Sequence, residues 1–108
     1  HGQLTTNATV ANVFYASLND NSAAQITLRT VGMKDDASDR AMYNKSALIY
    51  RDGAGAVLQG ALQTTYEVES NAAWDQTINV TGNFARGQIT GVAATNITWN
   101  SELEIRTE

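Results

Sequence analysis

The chain has 108 residues, no cysteine and a formal net charge of −4. This length corresponds to one domain, 1–108, and without cysteine no disulfide, thiolate metal site or thiol nucleophile can form. The seven basic residues are scattered and no apolar run approaches the roughly 18 residues of a membrane span, so we expect neither nucleic-acid binding nor membrane insertion. Because it opens on His1 without a methionine, we expect a processed or excised part of a longer chain.

The residue pattern favours strands over helices. Thr and Asn are abundant, and apolar residues do not recur at helical spacing over three turns. Turn signals, of which Asp52-Gly53 is the strongest, separate segments of alternating polarity. In chain order the predicted strands are 8–18, 23–34, 40–51, 56–59, 62–69, 74–81, 86–92 and 95–106. About eight short strands at this spacing predict an all-β fold, an antiparallel β-sandwich of jelly-roll-like type.

The first and third predicted strands are apolar on both faces. Such strands need cover on both faces, either from a loop of the same chain or from a second copy of the chain. For the second interpretation, the candidate subunit-interface residues are Val13, Tyr15, Ile49 and Tyr50.

Alternation in the second half of the chain predicts strands with one wet face. Tyr66 and Val68 alternate with Glu67 and other polar residues, and we expect the apolar residues to share one face. In the last strand the residues expected to share the core-facing side are Ile97, Trp99, Leu103 and Ile105.

Both tryptophans follow segments of small residues, SNAAW and TGVAATNITW. This arrangement favours core anchors, since small residues before the indole let another strand approach closely. An exposed aromatic ring could instead stack on a sugar. The candidate glycan contacts are Tyr43, Tyr66 and Trp74, and each is equally suited to a core.

The sequence offers little catalytic chemistry. Its one histidine is terminal, which excludes a Ser-His-Asp triad or a three-histidine zinc site within one chain. Paired carboxylates on polar strand faces are typical of solvated surface, although two facing carboxylates could cleave a glycosidic bond. The segment DDASD lacks the spacing of an EF-hand loop and is better explained as a polar turn. We therefore expect no enzyme, no catalytic residue, no metal and no cofactor.

Three segments, taken in order, carry a resemblance to a known family. They are LNDNSAAQITLRTVGMKDDASDRAMYNKSALIYRDGAG, ESNAAWDQTINVTGN and ITGVAATNITWNSELEIRTE. Together they resemble a module that recurs in virion proteins of tailed bacteriophages, and the resemblance runs from about Thr5 to Glu108. The chain departs from that pattern at Ala54 and at 91–94, which leaves the order of motifs intact.

The resemblance implies a β-sandwich module of a tail fibre, tailspike or capsid-surface decoration protein, located on the virion. Such proteins are usually trimeric, so it implies a homotrimer that contacts other virion proteins, and it supplies no catalytic residues. Two other functions stay open on the residues alone. One is a carbohydrate-binding module that recognises cell-surface glycan. The other is a pilin-type subunit completed by a donor strand, which the weakly apolar segment QLTTNATV disfavours.

Overall fold

The computed structural model describes residues 2–107, and this part of the chain is built from strands alone. It holds no helix long and apolar enough to cross a membrane. The strands are β1 (Gly2–Thr5), β2 (Val10–Ser17), β3 (Ser22–Lys34), β4 (Arg40–Asp52), β5 (Gly55–Glu69), β6 (Asp75–Thr81), β7 (Phe84–Thr90) and β8 (Ile97–Thr107).

The strands form two antiparallel sheets that pack face to face. The large sheet has the order β1-β8-β3-β4-β5, and the small sheet has the order β2-β7-β6. Side chains of alternate residues meet between the sheets and form one core, as expected of a sandwich. The predicted all-β sandwich is therefore confirmed.

Two strands differ from the sequence prediction. Strand β1 was not predicted, because four residues contain too little alternation to be recognised; it pairs with the start of β8. The predicted strands 56–59 and 62–69 are one strand, β5, which bulges in the middle. There 60–62 lie opposite Ala47 alone, and Gly60 has a φ of +73° that accommodates the bulge.

The core is anchored by a cluster of three aromatic rings. Trp99 is fully buried, the ring of Trp74 meets it edge to face with centroids 5.4 Å apart, and the ring of Tyr43 stacks on it at 6.5 Å. The prediction that Trp99 lies in the core is confirmed, and Ile97 is buried with it. Ile105 is 42% exposed, because β1 covers β8 only over 97–100 and leaves the rest of β8 as the edge of the sheet.

Candidate functional site

Of the three aromatic residues predicted as glycan contacts, only Tyr66 reaches the surface. Tyr43 and Trp74 are 0% and 1% exposed, and both rings pack against Trp99. A ring must present a free face to stack on a sugar, so burial removes Tyr43 and Trp74 from the candidate set. Tyr66 lies on the outer face of the large sheet, opposite Asn44 of β4.

Strand β2 is apolar on both faces for a reason other than a subunit contact. Asn12 pairs with Gln88 and Phe14 pairs with Gly87, so Val13 is the extra residue of a β-bulge. Val13 is buried and its neighbour Phe14 also packs against the core. The structure corrects the prediction that Val13 contacts another subunit, because its side chain points into the sandwich.

The other three interface candidates do not share a surface. Ile49 is fully buried between the sheets, which corrects its assignment to an interface. Tyr15 is exposed on the outer face of the small sheet, where it pairs with Arg86. Tyr50 is half-buried and pairs with Ala23 on the outer face of the large sheet. Tyr15 and Tyr50 therefore face opposite sides of the molecule.

The outer face of the large sheet carries an exposed apolar patch. Val31 of β3 pairs with Met42 of β4, which pairs with Val68 of β5. These three side chains and those of Met33 and Tyr66 form what we call the apolar patch, and each is 43–54% exposed. Soluble monomers rarely expose contiguous apolar patches larger than roughly a few hundred Å², so this patch is a candidate interaction site.

Polar groups border the apolar patch. A shallow groove of about 570 Å³ runs over Val31, Met42 and Tyr66 and is bounded by Asn44 and Asn100. Beside it, Arg29 and Glu102 form an exposed ion pair with an N–O distance of 3.5 Å. An apolar centre with a polar rim is the usual anatomy of a protein–protein interface.

The sequence pattern does not reveal the patch, because alternation along 62–69 predicts a core-facing side for Tyr66 and Val68. In the second half of β5 the observed pattern is the reverse of the predicted one. Glu67 and Glu69 point toward the boundary between the two sheets at β4, β5 and β6, which we call the seam, and Tyr66 and Val68 point outward. The inversion follows from two inward polar groups of β4. Tyr43 donates its hydroxyl hydrogen to Oε2 of Glu69 at 2.6 Å, and Nζ of Lys45 lies 3.2 Å from Oε1 of Glu67.

Lys45 joins the two sheets at this seam. Its Nζ donates to the carbonyl oxygen of Gln76 at 2.6 Å and lies 3.2 Å from Oδ1 of Asp75. It also sits 5.3 Å from the ring centroid of Tyr43. The residue is 6% exposed, so its charge is satisfied by groups from three strands. This geometry describes a structural tie between the sheets.

The hydroxyl of Tyr43 is held in its neutral form. Burial, and then the hydrogen bond to Glu69 and its negative charge, raise the pKa of Tyr43 well above its ordinary value of 10.0. The hydroxyl therefore acts as a fixed donor to Glu69 and does not supply a base.

The outer face of the small sheet carries a continuous chain of side-chain hydrogen bonds, which we call the amide network. Nε of Arg86 donates to Oδ1 of Asn79 at 2.5 Å, and Nδ2 of Asn79 donates to Oε1 of Gln88 at 2.7 Å. Nε2 of Gln88 donates to Oδ1 of Asn12 at 2.9 Å. Nδ2 of Asn12 donates to the hydroxyl oxygen of Tyr15 at 2.9 Å. The network crosses all three strands of the sheet.

An exposed aromatic pair lies at one end of the amide network. The ring of Tyr15 meets the ring of Phe84 edge to face, with centroids 6.1 Å apart. Tyr15 is 56% exposed and Phe84 is 43% exposed. Of the residues on this face, only Tyr15 was predicted to be functional. The sequence shows a row of polar residues on the predicted strands, but it does not show which amides are neighbours.

The turn at 35–39 organises its own acidic residues. Oδ1 of Asp36 accepts from the backbone N–H of Ser38 at 2.9 Å, and Nζ of Lys34 lies 3.5 Å from Oδ2. The hydrogen bonds from Ser38, with Lys34 second, hold the pKa of Asp36 below its ordinary range. Among residues 2–107 no three acidic or histidine side chains group closely enough to hold a metal ion.

No protein-family model and no curated protein sequence matches the chain. Among solved structures, the chain is similar to the tailspike protein of Acinetobacter baumannii phage AM24, with a TM-score of 0.49, 10% identity and 97% of this chain covered. It is also similar to the tailspike protein of Acinetobacter phage vB_ApiP_P1, with a TM-score of 0.39, 10% identity and 99% covered. The chain spans 25% of the first protein and 20% of the second, so their activities and partners are not assigned to it.

Proposed function

We propose that this chain is a non-enzymatic structural and interaction module of a bacteriophage virion, in a tail fibre, tailspike or capsid-decoration protein, and that it assembles as a homotrimer. The phage assignment is supported by the order of sequence motifs described above. The assembly is supported by one observation, the apolar patch on the outer face of the large sheet.

The dimensions of the large sheet suit a contact between copies. Its four long strands, β3, β4, β5 and β8, have 11–15 residues, and at about 4.8 Å between strands and about 3.3 Å per residue they give an outer face of roughly 800 Å². A stable interface buries about 800 Å² on each partner. The apolar patch would form the centre of such a contact, and Arg29 and Glu102 would lie in its polar rim.

Cyclic symmetry lets every copy use the same surface, so a closed ring leaves no patch exposed. The number three comes from the resemblance to phage fibre and decoration modules. In this arrangement the small sheet faces outward, away from the contact between copies.

The test is the mass in solution, measured by light scattering at tens of micromolar. The single chain has a mass of 11.6 kDa, and we expect three times this value. Val31→Glu places a charge in the apolar patch and should give the single-chain mass. Val10→Glu is the matched control, because Val10 is similarly exposed but lies on β2 of the small sheet. A single-chain mass for the parent, or equal dissociation by both variants, would contradict the proposed assembly.

A further inference from the structure

Arg86 is a partly exposed cation on the outer face of the small sheet. It lies on β7, the central strand of the small sheet, between Tyr15 of β2 and Asn79 of β6. The side chains of residues 2–107 make four ion pairs, and Arg86 takes part in none of them. The hydrogen bond from Nε to Oδ1 of Asn79 fixes the orientation of its guanidinium.

Arg86 also fixes the direction of the whole amide network. Because Nε can only donate, the group of Asn79 that faces it must be the oxygen, and the amide nitrogen of Asn79 then faces Gln88. The same reasoning orients Gln88 and Asn12 in turn. At the end of the network the oxygen of Tyr15 accepts, so its own hydroxyl hydrogen remains free to be donated outward.

From this geometry we infer that Arg86, Tyr15 and Phe84 form a binding site for the carboxylate-bearing unit of an acidic saccharide. Tyr15 and Arg86 are directly paired across β2 and β7. In the proposed complex, the terminal N–H groups of Arg86 and the O–H of Tyr15 donate to the two oxygens of one carboxylate. Beside them, the exposed ring of Phe84 offers an apolar surface to the C–H face of a sugar ring.

The amides favour a saccharide over a protein as the ligand. Within the amide network Asn12, Asn79 and Gln88 each use one N–H and one oxygen lone pair, so each keeps a further donor and acceptor. Apolar side chains of a protein partner would bury these groups without hydrogen bonds, which is unfavourable. Sugar hydroxyl groups both donate and accept, and would satisfy them. The site is separate from the apolar patch and does not depend on trimer formation.

The experiment is a titration followed by ¹H–¹⁵N NMR, with trigalacturonate as the acidic probe and a neutral galactose trimer as its matched counterpart. We expect saturable shifts at the backbone amides of Tyr15, Phe84 and Arg86 with trigalacturonate and much smaller shifts with the neutral trimer. Arg86→Gln should weaken binding by about tenfold or more, as expected for loss of charged hydrogen bonds. Tyr15→Phe removes only the hydroxyl and should weaken binding severalfold.

Arg106→Gln is the control for net charge, because Arg106 is exposed and lies on β8 of the large sheet. It should bind as the parent does. The inference is overturned by equal shifts with the neutral trimer, by an equal loss with Arg106→Gln, or by the absence of saturable shifts. If a glutamate-containing tripeptide binds at the same residues more tightly than trigalacturonate, the assignment of a saccharide ligand is overturned and a protein partner is indicated. Because the site does not depend on trimer formation, Val31→Glu should bind trigalacturonate as the parent does.

Discussion

The indole of Trp99 occupies the space in front of Gly32, its partner on the neighbouring strand β3. A Cβ atom added at Gly32 would lie 2.5 Å from Cε3 and 2.6 Å from Cζ3 of Trp99. The rings of Trp74 and Tyr43 pack against the same indole and restrict its movement. The glycine in β3 is therefore required by the tryptophan in β8.

Gly32→Ala should destabilise the fold by about 1–3 kcal/mol, because the added methyl group overpacks the aromatic cluster. The measurement is a urea melt followed by tryptophan fluorescence. Gly53→Ala is the control, since no atom beyond Gly53 and its two chain neighbours lies within 4 Å of the position its Cβ would take. If Gly32→Ala and the parent unfold at the same urea concentration, the indole can move to accommodate the methyl group and this packing argument is wrong.

Thr5 ties the first strand to the core. Nε1 of Trp99 donates to Oγ1 of Thr5 at 2.9 Å, and both residues are buried. Thr5→Val keeps the shape of the side chain but leaves the indole N–H without its acceptor, which should lower the free energy of unfolding by about 1–3 kcal/mol. Thr6→Val, at an exposed position, should change it little. Equal stability of the two variants would show that water replaces the lost hydrogen bond.

The fold could be predicted because most of its strands bury one face. Alternation along 95–106 is visible without a structure, and the burial of Trp99 and Ile97 followed from it. Strand β1 could not be predicted, because its four residues owe their place to pairing with β8 and to the hydrogen bond from Trp99. Long-range pairing leaves little local pattern in so short a segment.

The surfaces were predicted less well, for two physical reasons. In β2 a bulge at Val13 turns consecutive apolar residues into the core. Without knowledge of the bulge, the alternation predicts a strand with two apolar faces. In β5 the inward positions hold Glu67 and Glu69, because Lys45 and Tyr43 of the neighbouring strand β4 need partners. The exposed residues Tyr66 and Val68 therefore carry the pattern of buried ones.

Lys45 provides a test of the tie between the sheets. Lys45→Met keeps the length of the side chain but leaves Glu67 and Asp75 near each other without a cation, and it removes the bond to the carbonyl of Gln76. Since both carboxylates are partly exposed, we expect a loss of about 1–3 kcal/mol in urea melts rather than the larger loss of a fully buried pair.

The matched control for this loss is Lys34→Met. Lys34 pairs with Asp36 on the surface, where solvent screens the ion pair, so Lys34→Met should change the free energy of unfolding little. A Lys45→Met protein as stable as Lys34→Met would mean that the seam is held by apolar packing alone.

Tyr43 should make stability depend on pH in alkaline solution. Its pKa is raised in the folded chain, so below the ordinary value of 10.0 the hydroxyl is protonated in both the folded and the unfolded chain, and its contribution is fully present. Above about pH 10 the unfolded chain releases this proton while the folded chain keeps it. The free energy of unfolding then falls, by up to about 1.4 kcal/mol per pH unit for one such group.

Tyr43→Phe removes the titrating hydroxyl and therefore its contribution to the pH dependence of the free energy of unfolding. At pH 8 the variant should be less stable than the parent, because Glu69 loses a hydrogen-bond donor. Between pH 10 and pH 11 the parent should lose stability faster than the variant, so the difference between the two narrows. Urea melts at half-unit intervals from pH 8 to pH 11 measure this difference directly, and other titrating groups affect both proteins alike. A difference that stays constant across that range would show that the Tyr43 hydroxyl ionises as readily in the folded chain as in the unfolded one.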